Sequence, residues 1–286
     1  LYVRGKGNAA KKPCMVHFDG LDVNKEYIYI GGMAEELAER GIKNIVVLEA
    51  KHLGYGGTGR NGGQIMAGIG HDLDAIAKHV GEAGLKEIFK ISNLGAGIIR
   101  ERIAKYGIDA DFRNGYAYLG FNSRQENTLR AWEASFKSVD PDTEIRLYTG
   151  QDVQKVVGSD VYKSALLHMG GGHVHSLNLL LGEAQALSSH GARIYENSPV
   201  IGVEYGDRVV VRTAMGSVRA SKMLWACNAF LDGLEPEIYK KTVNTYAFQL
   251  CTEPLPEDLI KRISPIRGAY SDIRPIIDYY RVTNDN

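Results

Sequence analysis

The feature that most constrains the fold is a strand–helix–strand pattern near the N-terminus. YIYI (27–30) is predicted to form a short buried strand, AEELAERG (34–41) a helix that ends at its glycine, and IVVLE (45–49) a second strand. Two strands joined through a helix run parallel, because the crossover returns the chain in the same direction. The pattern therefore predicts an α/β nucleotide-binding fold built on a parallel sheet.

Both ends of this unit carry groups that a dinucleotide needs. Gly31 and Gly32 are predicted to form a turn that binds a pyrophosphate, and Glu49 is predicted to end the second strand, where an acid accepts hydrogen bonds from a ribose. The full G-x-G-x-x-G fingerprint is absent, and Gly31 and Glu49 lie 49 − 31 = 18 positions apart, where about 20 are usual. The alternative is an ordinary unit with a surface acid.

A glycine-dense loop follows the second strand. Residues 54–70 hold eight glycines in 17 positions. Within them, TGRNGGQ (58–64) allows several backbone N–H groups to converge on an anionic or electron-rich ligand, and Arg60 adds a fixed positive charge. Glycine-rich loops are also common as mobile surface loops. The position after the second strand favours the ligand-binding interpretation.

The rest of the chain reads as alternating elements with a β-rich insertion. Residues 1–26 show no period and are expected to be irregular. A hairpin is predicted over 109–121 around Asn114-Gly115. A long helix with a break near 81–84 is predicted over 72–106. Further helices are predicted from Ser123 to about 138, as a short helix that begins at Thr149, and over 176–191 and 256–262. Strands are predicted within 192–230, 243–251 and 276–283.

Composition excludes several classes of protein. The 34 basic and 34 acidic residues balance, so bulk positive charge for nucleic acid or a membrane surface is missing. No apolar run of about 18 residues or signal peptide is found. Three scattered cysteines predict neither a disulfide framework nor a zinc site, and a reducing, cytoplasmic location is expected. No metal site is predicted, because His173 and His175 lack further ligands at matching spacing.

Several separate motifs resemble one family. They are EAKHLGYGGTGRNGGQ, GIIRERIAKYGIDADFRNGYAYLG, SALLHMGGGHVHSLNLLLGEAQALSSHGARIYENSPV, WACNAFL and IIDYYRVTNDN. Together, from about Ile42 to Asn286, they resemble the FAD-dependent amine and amino-acid oxidases related to D-amino-acid, glycine and sarcosine oxidases. The resemblance implies a Rossmann-like FAD-binding domain (27–106 and 150–230) with an interleaved β-rich substrate domain (107–149 and 231–286).

The resemblance also implies which residues bind FAD. Glu49 takes the ribose, Ala50 lies near the adenosine, Val200 reaches the adenine with its backbone, and Ala226 lies beside the cofactor. Residues along the flavin are Thr58, Gly59, Arg60, Asn61, Gly62, Gly63 and Gln64. Cys227 stands where the family often has glycine, and we interpret it as a buried structural thiol.

Four residues are predicted to serve the chemistry. They are Arg60 beside the flavin, His175 near the substrate amine, and Tyr279 and Arg281, which share one face of a strand and could hold a substrate carboxylate. The alternatives are a histidine at the helix entry bonded to backbone and a solvated arginine on a sheet surface.

The resemblance implies an oxidoreductase that oxidises the C–N bond of a small amine, with gamma-glutamylputrescine as the expected amine and oxygen as the acceptor. The imine would hydrolyse to an aldehyde and ammonia. Two departures are visible: the turn at Gly31 is shorter than in the family, and the family continues past Asn286, so the chain is expected to be truncated at its C-terminus. A cofactor-free binding or assembly module is the alternative. A nicotinamide-dependent dehydrogenase is disfavoured, because its site does not require the TGRNGGQ loop.

Overall fold

The computed structural model describes residues 3–4, 14–18, 34, 37–66, 73–243 and 248–285. Two compact units are formed. The first contains Leu1–Asn61, Lys105–Ile108 and Ser176–Gln249, and the second Gly62–Ala104, Asp109–His175 and Leu250–Asn286. The boundaries of these units differ from those of the predicted domains. Which part of the chain binds the cofactor and which binds the substrate stays a prediction.

The strands are, in chain order, β1 Val3–Arg4, β2 Cys14–Phe18, β3 Ile45–Glu49, β4 Gln64–Ile65, β5 Arg113–Gly120, β6 Ile145–Thr149, β7 Ser164–His173, β8 Arg193–Tyr195, β9 Val200–Glu204, β10 Val209–Thr213, β11 Gly216–Ala220, β12 Lys222–Leu224, β13 Ala269–Asp272 and β14 Tyr279–Arg281. The α-helices are α1 Gly57–Arg60, α2 Leu73–Tyr106, α3 Ser123–Val139, α4 Ser176–Ser189, α5 Pro236–Tyr239 and α6 Glu257–Ile263. Residues Gly150–Lys155 and Asn228–Leu234 form 3₁₀ helices, and residues 34 and 37–39 are also helical.

A parallel sheet forms the centre of the first unit. Its strand order is β1-β12-β2-β3-β8; β12, β2, β3 and β8 pair in parallel, and β1 is antiparallel. Every residue of β3 is buried. Val46 and Leu48 pack with the antiparallel sheet β9-β10-β11, whereas Ile45 and Val47 pack with Ala34 and the end of α4. Burial on both faces explains the unbroken apolar run of this strand.

The predicted strand–helix–strand unit is confirmed in part. The strand 45–49 is present, and the preceding helix ends at Gly41, whose N–H donates to the carbonyl of Ala38. The parallel partner of β3 is β2 at Cys14–Phe18. The prediction that 1–26 is irregular is therefore wrong at β1 and β2. The predicted strand 27–30 and the Gly31-Gly32 turn lie outside the described residues.

The second unit is built on a mixed sheet of order β14-β13-β5-β7-β4, with β6 also paired to β7. Helices α2 and α3 cover an aromatic core that includes Phe89, Tyr118, Trp132 and Phe136. The predicted break in α2 is confirmed at Gly81, where the backbone leaves helical geometry. This sheet carries the ends of β7 and β14, where several predicted site residues lie.

The hairpin predicted over 109–121 is wrong. Residues 113–120 form the single strand β5, which pairs with β7 on one side and β13 on the other. Gly115 has a φ of 101° beside an irregularity in the register between Asn114 and Tyr116. The Asn-Gly pair thus supplies an irregular step within a strand instead of a turn, because the pairing strands come from distant parts of the chain.

Other local predictions were nearly correct. Helix α3 begins where expected, but its cap is Asn122, whose side chain accepts from the N–H of Gln125, one position before the predicted Ser123 pair. The 3₁₀ helix after Thr149, α4 and α6 are confirmed. Of the predicted strand 243–251, the described residues 243 and 248–251 are not in a strand. No helix in the described part of the chain is long and apolar enough to cross a membrane.

Candidate cofactor-binding site

Glu49 lies at the carboxyl end of β3 in the first unit and is 5% exposed. Its Oε1 accepts a hydrogen bond from the N–H of Lys51 at 2.9 Å. This bond holds the carboxylate against the backbone that follows β3. A buried carboxylate at the carboxyl edge of a parallel sheet is the arrangement that the ribose of a dinucleotide uses.

A second segment is tied to this strand end. The N–H of Ser198 donates to the carbonyl of Glu49 at 2.8 Å, and the N–H of Asn197 donates to the carbonyl of Lys51 at 2.6 Å. Nearby, Glu196 Oε1 accepts from the N–H of Leu53 at 2.6 Å. Val200 lies two positions after Ser198 and shares a core with Val46 and Leu48.

Three predicted adenosine-side residues are therefore brought together, namely Glu49, Ala50 and Val200. Ala226 and Cys227 follow β12 in the same sheet, and Cys227 is 2% exposed. Its burial agrees with the interpretation as a structural thiol. Gly31 and Gly32 lie outside the described residues, so their role stays a prediction.

The loop of residues 58–64 begins with one turn of helix, α1, which the sequence did not predict. Asn61 ends this turn: its Nδ2 donates to the carbonyls of Gly57 at 3.0 Å and Thr58 at 2.9 Å. Ser176, the first residue of α4, donates its hydroxyl toward Asn61 Oδ1 at 2.8 Å and the Asn61 carbonyl at 3.0 Å. The first part of the loop is therefore braced by hydrogen bonds within α1 and to the start of α4.

Gly59 fits this turn only because it has no side chain. A Cβ at position 59 would lie 2.4 Å from the carbonyl oxygen and 2.7 Å from the Cα of Gly54. Backbone atoms cannot rotate away as a side chain can. The two glycines therefore allow the segment before α1 to pass close to α1 itself.

Arg60 is exposed. Its guanidinium carbon lies 5.0 Å from the centre of the Tyr55 ring, and its Nε is 3.5 Å from the carbonyl of Gly56. Among the described residues no carboxylate lies within ion-pair distance of it. No contact within the described part of the chain therefore supports a role for Arg60 in bracing the loop through a carboxylate.

The second unit contains the end of the loop. Gln64 begins β4 and pairs with His173 of β7, and the N–H of Val174 donates to the carbonyl of Gly63 at 2.9 Å. The Gly62 carbonyl accepts from Nε of Arg281 at 2.7 Å. Gly62, Gly63, Gln64 and Arg281 are thus brought together at one end of this sheet.

His173 makes side-chain contact with Arg281, and the place of His175 near a substrate amine stays a prediction. Nδ1 of His173 lies 3.4 Å from Nη1 of Arg281, and its Nε2 lies 3.1 Å from the carbonyl of Arg267. Burial lowers the pKa of His173 to about 4. The N–H of His175 donates to the carbonyl of Ala110 at 2.6 Å, so its backbone is fixed at the entry to α4.

Tyr279 and Arg281 alternate with Tyr280, whose ring stacks on Tyr270 at 4.9 Å. Tyr279 lies opposite Ser271 in the register, and its proximity contributes to the raised pKa of Tyr116, whose main cause is burial. The two residues thus share the strand face opposite Tyr280, as predicted from the period of a strand. Their roles in binding substrate stay predictions.

Neither the contact of His173 with Arg281 nor the contact of Ser176 with Asn61 was predicted from the sequence. The signal for His173 was its place in a glycine-rich strand end, GGGH, which allows close backbone packing around it. From the sequence, Ser176 could be predicted only as the first residue of a helix. Its contact with Asn61 joins positions 115 apart in the sequence.

The family model described as FAD dependent oxidoreductase matches residues 32–286. The chain belongs to this family. The match confirms the predicted family and its cofactor, FAD. It also agrees with the predicted α/β fold class.

Gamma-glutamylputrescine oxidoreductase of Escherichia coli (strain K12) is 38% identical over 254 residues, which cover 88% of this chain and 59% of that protein. Glycine oxidase from Bacillus cereus is similar in structure, with a TM-score of 0.57, 20% identity, and coverage of 80% of this chain and 59% of that one. L-proline dehydrogenase from P. horikoshii gives a TM-score of 0.66 at 17% identity, with 93% and 65% covered. The two structures confirm the fold class. The chain spans about three fifths of the length of the E. coli relative.

Proposed function

We propose that the protein is an FAD-dependent oxidoreductase that oxidises the C–N bond of a small amine. The observation that carries the proposal is the family match over residues 32–286, which includes the buried Glu49 at the end of β3 and the braced loop after it. The substrate proposed is gamma-glutamylputrescine, because the E. coli relative is named for it. Oxygen is proposed as the acceptor.

The described residues fit the adenosine end of FAD. Glu49 would accept hydrogen bonds from the ribose hydroxyls, and Val200 would meet the adenine with its backbone. Buried acceptors of this kind need a polar partner, since a carboxylate without one is costly to desolvate. The N–H of Lys51 donates to Oε1 of Glu49 and holds the carboxylate at the end of β3.

Along the flavin, residues 58–64 would present their backbone. The close crossing of Gly59 and Gly54 removes side chains from one surface of the loop. When bound, FAD takes up the two electrons released as the C–N bond of the amine is oxidised. The chain's contribution is to position the cofactor and to place the Arg60 charge in the same loop.

Overall, an amine, water and the acceptor would give an aldehyde, ammonia and the reduced acceptor. The amine must lose its proton before its α C–H bond is oxidised. Among the described residues, His173 is an uncharged buried base next to the loop, but its two ring nitrogens already have partners. We therefore assign no proton transfer to it.

The test is flavin content followed by turnover. The purified protein is expected to show flavin absorbance with one FAD per chain, and gamma-glutamylputrescine is expected to bleach it without oxygen. N-acetylputrescine, which lacks the amino-acid head, is the control for the substrate. A colourless protein that takes up no added FAD would refute the proposal and favour a binding module. A yellow protein that is bleached only by other amines would refute the substrate alone.

A further inference from the structure

Arg281 directs two of its donors at neutral acceptors within its own unit. Nε lies 2.7 Å from the carbonyl oxygen of Gly62, and Nη1 lies 3.4 Å from Nδ1 of His173. A guanidinium has a fixed fork of donors, so fixing Nε and Nη1 determines the plane of the whole group. A substrate carboxylate would need the same fork for a bidentate contact.

The protonation of His173 follows from its two contacts. The carbonyl of Arg267 can only accept, so Nε2 at 3.1 Å carries the hydrogen. Nδ1 then holds a lone pair, which faces the guanidinium of Arg281. His173 is fully buried, and burial keeps it in this uncharged form. The ring is thus an acceptor for Arg281 and not a competing positive charge.

Gly62, Gly63 and Gln64 each make a contact with another part of the second unit. The carbonyl of Gly63 accepts from the N–H of Val174 at 2.9 Å, and Gln64 pairs with His173 as β4 joins β7. Gly63 has a φ of 71°, which a glycine adopts at little cost. The contact with Arg281 adds a fixed point on the peptide plane between Gly62 and Gly63.

We propose that Arg281 is a positioning residue, which orients the Gly62 peptide of the TGRNGGQ loop, and that it does not bind the substrate carboxylate. The importance of that orientation for FAD rests on the proposed function. The anchoring of the loop itself does not, since every contact that carries it lies within the second unit of the chain.

Arg113 provides a matched control. It lies opposite His173 in the register between β5 and β7, and its own donors go to Asp111 at 3.2 Å and Asn284 at 2.8 Å. Arg113→Gln therefore removes the same charge near His173 but leaves the contact with Gly62 unchanged. Arg281→Gln removes both contacts, and Arg281→Lys keeps the charge but cannot reach both acceptors with a planar fork.

The first measurement is amide hydrogen exchange without added FAD. Exchange at Gln64 and Ile65 is expected to be faster in Arg281→Gln than in wild type and Arg113→Gln. The second is FAD affinity, expected to fall about tenfold in Arg281→Gln and to fall clearly in Arg281→Lys. The third is the ratio of KM values for gamma-glutamylputrescine and N-acetylputrescine, expected to stay as in wild type.

Exchange and FAD affinity at wild-type values in Arg281→Gln would overturn the proposal. So would an Arg281→Lys variant that equals wild type, or a KM that rises only for the amine with a carboxylate. If the wild type binds no FAD, the proposed function fails, and the exchange comparison alone still decides whether Arg281 anchors the loop. A variant that does not fold is replaced by His173→Gln, whose amide can donate to Arg267 and accept from Arg281, and which is expected to keep slow exchange at Gln64.

Discussion

Ser176 directs its hydroxyl at Asn61, 2.8 Å from the side-chain oxygen and 3.0 Å from the backbone carbonyl. This contact holds the end of α1 against the first residue of α4, so the loop after β3 has a fixed anchor. Ser176→Ala would leave the half-buried oxygens of Asn61 without this donor. We expect the free energy of unfolding to fall by about 1–3 kcal/mol and FAD affinity to fall with it.

The control for this change is Ser188→Ala on the same helix. Its hydroxyl donates only to the carbonyl of Ala184, one turn earlier. Alanine is a better helix former, so stability is expected to stay within about 0.5 kcal/mol. Chemical denaturation of the three proteins checks the prediction. Equal losses in the two variants would show that the Asn61 contact has no special weight.

Gly59→Ala is expected to prevent FAD binding. Its Cβ would lie 2.4 Å from the Gly54 carbonyl oxygen, so the loop must open to accommodate it. Gly97→Ala in α2 makes the same change where a Cβ meets nothing within 4 Å, and it is expected to be neutral or stabilising by up to about 1 kcal/mol. Flavin absorbance after purification, with denaturation curves of both variants, is the measurement. Normal flavin content in Gly59→Ala would contradict the close crossing.

Two substitutions of Glu49 distinguish its effect on FAD binding from its effect on stability. Glu49→Gln keeps a carbonyl oxygen for the N–H of Lys51, whereas Glu49→Ala removes it. We expect both to weaken FAD binding about tenfold or more, because hydrogen bonds to a charged acceptor contribute roughly 1.5–3 kcal/mol. Only Glu49→Ala should also lower stability. Glu196→Gln, in the neighbouring segment, is the charge-matched control, and unchanged FAD retention in Glu49→Gln would remove Glu49 from the site.

The sequence predicted those parts of the fold that depend on local pattern. Helix α4, strand β3 and the break at Gly81 follow from period and glycine placement alone. The hairpin at Asn114-Gly115 failed because a local turn signal cannot reveal that both neighbours of β5 come from distant segments. Strand β2 was missed because its parallel partner, and not its own period, defines it.

The candidate site shows the same division. Glu49 was predictable, since its position at the end of an apolar strand fixes where its carboxylate lies. The contact of His173 with Arg281 was not predictable, because it joins positions 108 apart and depends on how distant strands pair. The contact of Arg281 with Gly62 joins positions 219 apart, and no spacing rule reports such a pair.

Stability is expected to fall in mild acid through two buried histidines. Burial lowers the pKa of both His168 and His173 to about 4, below the value of about 6.5 for an unfolded chain. Between these values the unfolded chain binds more protons, so each histidine lowers stability by about 1.4 kcal/mol per pH unit as the pH falls from 6.5 to 4. Above pH 6.5 their contribution is constant.

The measurement is the pH dependence of urea unfolding. His168→Gln and His173→Gln are each expected to reduce the slope between pH 4 and 6.5 by roughly the share of one proton. His52→Gln, at an exposed position, is the control and is expected to leave the slope as in wild type. A slope that is the same in all four proteins would mean that neither buried histidine is kept neutral by folding.

Arg60 is expected to act through its charge. It is exposed beside Tyr55, and no carboxylate of the described residues pairs with it, so its guanidinium is available to a ligand of the loop. Reduced flavin carries negative charge, which a fixed positive group stabilises without reorganising. Arg60→Lys keeps a point charge and Arg60→Met removes it, so the lysine variant should retain much of the rate of flavin reduction and the methionine variant should lose it. Arg130→Met, on the exposed face of α3, controls for the loss of a surface charge. Stopped-flow bleaching by an amine, normalised to bound FAD, measures the rate.

Equal rates per flavin in wild type, Arg60→Lys and Arg60→Met would leave Arg60 with a purely structural role, through its contact with the Tyr55 ring.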